Sequence, residues 1–213
     1  MMLSAALLFF TAAGFAQQLE PVKIDSLVTV SLPANYDKVD TLDQQVFSAN
    51  SSLGYMVVVK ATEDNNKPLE KEGDLNKVMD NYVDNFKQQY KDASAQNVRD
   101  TTVGKLKAKA FTLEYKADDS SVQFKNFVLL YTTGASYFFQ YAYPSMRADV
   151  VDKELKTFLS SIKVSPDLTR TDQYLSQDKG MSPVVKTGLI AGGSLLVVAL
   201  IFIWMKQRRE AVV

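Results

Sequence analysis

The sequence predicts an α+β fold, an antiparallel β-sheet packed with two main helices, followed by one C-terminal transmembrane helix. Three observations predict it. Two stretches, 74–90 and 148–162, carry apolar residues at steps of three and four, the stripe of an amphipathic helix. Runs of alternating apolar and polar residues separated by very short polar connections imply strands joined as antiparallel neighbours. Residues 187–205, TGLIAGGSLLVVALIFIWM, contain no charge, and about 19 residues at roughly 1.5 Å each cross a bilayer core.

The uncharged stretch places everything else. It ends in Lys206, Gln207, Arg208 and Arg209, and a basic cluster directly after a span marks the cytoplasmic side. Residues 206–213 are therefore read as a basic cytoplasmic tail, with Trp204 as an interfacial aromatic. Residues 1–16, MMLSAALLFFTAAGFA, form a shorter apolar run that ends in small residues, which reads as a secretory signal peptide. Its start lacks Lys and Arg, so an uncleaved signal anchor is the alternative. Either way residues 17–166 are expected outside the cytoplasm. The whole is a single-pass type I protein of a bacterial inner membrane, with its N-terminal domain periplasmic.

Composition narrows the chemistry. Lys plus Arg and Asp plus Glu both number 24, a balance that argues against nucleic acid as a partner. Cys and His are both absent, which excludes disulfides, thiol nucleophiles, the usual zinc or copper sites and His-based triads. No cofactor and no metal is expected.

In chain order, 27–32 alternates Val28, Val30 and Leu32 against Thr29 and Ser31 and stops at Pro33, a half-buried strand closed by a turn. Segments 46–49 and 55–61 flank Asn50-Ser51-Ser52-Leu53-Gly54 and read as a hairpin. The first helix places Leu75, Val78, Met79, Tyr82, Val83, Phe86 and Tyr90 on one stripe. Glu70, Glu72 and Asp74 stand at its start, where carboxylates oppose the positive end of the helix dipole. Four strands follow, 97–103, 105–115, 121–132 and 136–143. In the second, Leu106, Ala108 and Ala110 share one face while Phe111, Leu113 and Tyr115 take the other, which predicts a bulge near Ala110. Asp118-Asp119 reads as turn chemistry and not as a calcium loop. The second helix carries Val151, Leu155, Phe158, Leu159 and Ile162, and residues 167–186 are polar and aperiodic, the composition of a tether.

The cues VTVSLP at 28–33, VGKLKAKAFTLEY at 103–115, YFFQYAYP at 137–144 and the closing FLSSIKV at 158–164 resemble the PsbP-like superfamily over roughly residues 27–164. That superfamily includes an extrinsic photosystem protein and a Ran-binding protein. The resemblance implies an antiparallel sheet with helices packed on it, used chiefly for docking, and it carries over no site residues. The membrane anchor departs from those members.

Function is accordingly expected to be binding or docking without catalysis, with a protein partner or a small apolar ligand. Three features are candidate sites. Lys105, Lys107 and Lys109 stand in a row as a contact for an acidic partner or lipid head groups, against the reading of a solvated face. Tyr137, Phe139, Tyr141 and Tyr143 line one strand face, as core under a helix or as a ligand cleft. Gly188 and Gly192, four apart, form a small-residue face, a candidate for pairing of the span as a homodimer, against the reading of an anchor only. The alternative is a carboxylate-dependent, glycosidase-like envelope hydrolase, which needs two facing carboxyls about 5–9 Å apart in a cleft.

Overall fold

The computed structural model describes residues 18–41, 43–62, 67–117 and 119–180. The strands are β1 (Leu19–Lys23), β2 (Val28–Pro33), β3 (Asp37–Asp40), β4 (Gln44–Asn50), β5 (Tyr55–Thr62), β6 (Leu69–Lys71), β7 (Ser94–Val103), β8 (Leu106–Lys116), β9 (Val122–Thr132), β10 (Ala135–Pro144), β11 (Lys163–Val164) and β12 (Tyr174–Ser176). Helix α1 (Glu72–Gln88) lies between β6 and β7, and α2 (Ala148–Ser160) follows β10. Seven strands form one antiparallel sheet in the order β3-β4-β5-β10-β9-β8-β7. A three-stranded sheet, β1-β2-β11, and α2 cover one of its faces, while α1 covers the other. The fold class is as expected, mostly antiparallel sheet with two helices. Among the described residues no helix is long and apolar enough to cross a membrane; the proposed span 187–205 lies outside them.

Burial on both faces gives the sheet two cores. On the side of α2, Val28, Val30 and Leu32 of β2 meet Leu106, Ala108 and Ala110 of β8, Val128 and Leu130 of β9, and Phe139 and Tyr141 of β10. On the side of α1, Tyr82, Val83 and Phe86 meet Phe111, Leu113, Phe127, Leu129 and Phe138. The predicted bulge near Ala110 is therefore corrected. Pairing of β8 with β9 runs without a break from Ala108 to Lys116, and the two apolar phases of β8 feed two different cores. The ladder slips instead in β7, between Gln96 and Arg99, where Asn97 takes a left-handed φ of 54° that asparagine tolerates.

The tether boundary is also corrected. Residues from 167 onward were expected to be free of the domain, yet they pack against it as far as residue 180. Leu168 and Tyr174 are buried, and β12 pairs in parallel with β6. Gln173 is fully buried, accepting from the Lys107 backbone N–H at 2.8 Å and donating to the carbonyls of Lys107 (2.8 Å) and Tyr131 (2.9 Å). Its side chain thus serves as one more peptide group at the end of β8. Gly73 at the start of α1 donates to the Asp178 carbonyl, and a Cβ there would lie 2.2 Å from the Lys179 oxygen, so the exit strand passes where only glycine fits. Residues 181–186 lie outside the described residues.

Candidate functional site: the far end of the sheet

The lysine row does not project from an open strand face. Lys105, in the β7–β8 turn, donates to the Pro166 carbonyl at 3.0 Å, and Lys107 reaches Glu72 at 2.6 Å. Lys109 is buried, paired with Asp80 of α1 and with Asp100 at 3.4 Å. These are bonds that clamp β8 to α1, β7 and the exit segment. The Lys107 ammonium, with help from the Tyr174 hydroxyl, holds the Glu72 carboxyl below its ordinary value despite some burial. Asp74 accepts from the Lys71 backbone N–H at 3.2 Å within a capping box. Among the described residues no three acidic side chains are grouped to hold a metal. Gly188 and Gly192 lie outside the described residues.

The aromatic row is core. Tyr137, Phe139 and Tyr141 are at most 1% exposed beneath α2 and β2, and only Tyr143 is half-buried. The buried hydroxyls find partners: Tyr137 donates to Asp25 at 2.7 Å, and Tyr141 to Glu154 at 2.8 Å with Ser51 at 3.2 Å. Burial pushes both phenols up, and the facing carboxylates add to it. Burial also raises Asp25, but the Lys60 ammonium at 2.8 Å, the Tyr137 hydroxyl and the Leu27 N–H outweigh it and hold that carboxyl below its ordinary value.

With both faces covered, what remains open lies at the edges and ends. An open groove of about 650 Å³ runs between α1 and the edge strand β7, lined by Lys77, Asp80, Asp84 and Lys87 on one side and by Ala95 and Val98 on the other. Its charges are mixed, giving it no preference for ligand sign. The two ends of the sheet differ more. At one end the β9–β10 turn meets the exit segment through the Thr133 N–H and the Asp172 carbonyl, next to the start of α1. The other end gathers the β4–β5 turn, the end of α1, the β8–β9 turn and the start of α2.

This far end is rich in aromatic and exposed apolar side chains. Met146, in the turn that precedes α2, and Val150, in its first turn, are 86% and 60% exposed. Arg147 between them donates to the Leu53 carbonyl at 2.9 Å, fixing this corner on the β4–β5 turn. Half-buried Phe124 and Tyr143 pair across β9 and β10 with ring centroids 5.6 Å apart. On the opposite face, Lys125 of β9 donates to the Tyr90 hydroxyl at 2.6 Å and lies over the rings of Tyr90 and Tyr115, 4.2 and 5.1 Å from their centres. Burial pushes the Lys125 ammonium down to about 7 and the Tyr115 phenol up to about 12.

None of these far-end residues except Tyr143 was a candidate from sequence. Lys125 had a signal: it shares the phase of Phe127 and Leu129, so it is a charge on the inward face of a strand. Tyr90 was counted as the last residue of the helical stripe, but it comes after the helix has ended.

No family model matches the chain, and no curated protein does. Among solved structures it is similar to cyanobacterial PsbP from Synechocystis sp. PCC 6803, at 18% identity over 72% of this chain and 96% of that one, with a TM-score of 0.45. It is similar to LpqN of Mycobacterium tuberculosis, involved in cell envelope biogenesis, at 12% identity over 70% and 91%, with a TM-score of 0.42. A Bacteroides thetaiotaomicron VPI-5482 structure matches at 7% identity and a TM-score of 0.41; 66% of this chain aligns, spanning only 46% of that one. None of these likenesses carries a residue role or an activity to this chain.

Proposed function

We propose that the chain is a non-catalytic docking domain, exported and held at a bacterial inner membrane by residues 187–205, whose far end receives a protein partner. The observation that carries this reading is the concentration of exposed apolar surface at Met146 and Val150, on a domain whose sheet faces are otherwise filled. A small apolar ligand fits less well, because the aromatic face that would hold it is occupied by α2 and β2. Pairing of the span through Gly188 and Gly192 belongs to the same proposal and adds a second copy alongside the first.

The geometry favours protein over lipid as the occupant. Six residues, 181–186, separate the exit from the proposed span, a reach of at most about 22 Å when fully extended. The ten residues of β10 that separate the two ends measure roughly 30 Å. A leash shorter than the strand prevents the domain from standing inverted on its far end; side-on contact is what the lipid arm of the test below detects.

A photoreactive side chain at position 146 of the full-length chain in native membranes tests this. The expected result is a discrete protein adduct that is absent from position 175 at the exit end and abolished by Val150→Asp in the same chain. Adducts to lipid alone, or equal adducts from both positions, contradict it.

A further inference from the structure

We propose that Tyr90, Tyr115 and Lys125 form a recognition site for a carboxylate. The inference stands without the docking reading, because a free acid suffices to occupy the site.

Lys125 is a basic side chain set into the α1 face of the sheet with no anion among the described residues to match it. Lys60, Lys71, Lys107 and Lys109 each hold a carboxylate of the domain, and among the described residues Lys125 holds none. The groups packed on it are the Tyr90 ring from beyond the end of α1 and the Tyr115 ring from β8. These faces stabilise a cation by their quadrupoles without neutralising it. The two rings touch each other, with centroids 4.5 Å apart, so they form a fixed wall beside the amine. Lys125 keeps partial exposure as a residue, although the two rings enclose its ammonium end.

A second observation marks the same region as incompletely satisfied. Gln140 is 5% exposed and its Oε1 has no hydrogen-bond partner; the Nε2 of Gln89, adjacent to Tyr90, is likewise buried and unpartnered. The β9–β10 register puts Gln140 opposite Phe127 and Ala142 opposite Lys125, so Gln140 is a diagonal neighbour of the lysine on the same face. Buried amide atoms without partners are uncommon in folded proteins; of the two, the Gln89 Nε2 is a donor that a carboxylate oxygen satisfies, whereas the Gln140 Oε1 is an acceptor and calls for a donor.

The chemistry of the missing group follows from what surrounds it. One ammonium supplies one positive charge, which matches a monoanion and leaves a phosphate dianion half neutralised. The two phenols add hydroxyl donors, and the ring wall suits a flat or aromatic acid. Binding of an anion stabilises the protonated amine, so occupancy and protonation of Lys125 are linked.

The test follows Lys125 in the full-length chain in detergent by NMR of its Cε and Nζ through a pH titration. The probes are benzoate, a short peptide with a free C-terminal carboxylate, and the same peptide as its amide. Benzoate is expected to bind with a dissociation constant on the order of 1 mM, and to raise the Lys125 midpoint by at least about one pH unit at saturation. Lys125→Met should lose that binding and Lys125→Arg should keep part of it. A shift with benzoate alone identifies a free acid as the ligand; a shift with the peptide acid but not its amide identifies a chain terminus. A midpoint that moves with none of the probes overturns the site, as does equal benzoate affinity in the Met variant. Should the Met variant fail to fold, the wild-type midpoint decides alone.

Discussion

A chain ending at residue 166 is expected to be molten or unfolded, whereas one ending at residue 180 unfolds cooperatively. The difference is the exit segment. Losing it uncovers the sites of Leu168 and Tyr174 at roughly 1.5–3 kcal/mol each. It also removes the three hydrogen bonds of Gln173, each about 1 kcal/mol net and more where the abandoned group stays buried. A loss of about 5 kcal/mol or more consumes most of the stability of an ordinary domain. The single substitution Gln173→Leu isolates the polar part, because it keeps the volume and leaves the Lys107 N–H and two carbonyls without their partner. Its expected cost is about 3 kcal/mol in urea unfolding. Equal midpoints for the two truncations would show that the segment rests on the domain without supporting it.

The second large effect is expected at Phe86. Its ring, 1% exposed, lies 4.6 Å from Phe127, 5.6 Å from Phe138 and 6.2 Å from Phe111, and so fastens α1 to three strands at once. Phe86→Ala should cost about 3–5 kcal/mol through lost burial and the cavity left behind. Phe86→Leu retains most of the volume and should cost about 1.5 kcal/mol or less. Thermal or urea unfolding of the 18–180 chain separates the two variants; an alanine cost below about 1 kcal/mol would mean that α1 is held by the lysine clamps and not by this aromatic cluster.

What was legible in the sequence follows from what is locally periodic. Helix α1 shows because its stripe from Leu75 to Phe86 repeats every turn, and the β4–β5 hairpin shows because Ser51 and Gly54 close it locally. Strand β8 was misread for a physical reason: alternation was interpreted as one buried face, whereas a sheet covered on both sides lets Ala108 and Phe111 both be core. The short strands β1, β3, β6 and β12 left no periodic trace. β12, for example, is fixed by a partner more than a hundred residues earlier, which no window can see. Lys107 and Lys109 share a side of β8, and Lys105 lies in the turn before it. The cover that α1 places over that side, through Glu72 and Asp80, is a tertiary fact. Lys125 was visible as an inward charge, but Tyr90 reaches it from 35 residues away, and only the fold shows that no carboxylate among the described residues does.

The proposed docking role requires the Met146 end to face away from the bilayer. The chain contains no cysteine, so single Cys substitutions at 146 and 180 can each carry one spin label without background. In the full-length chain reconstituted into vesicles, accessibility to a lipid-soluble relaxation agent measures which position meets the membrane. Ready lipid contact, or close approach to the surface, is expected for the label at 180 and none for the label at 146. A label at 146 immersed in lipid, with the label at 180 in water, would contradict it and make the exposed apolar end a membrane contact instead of a docking surface.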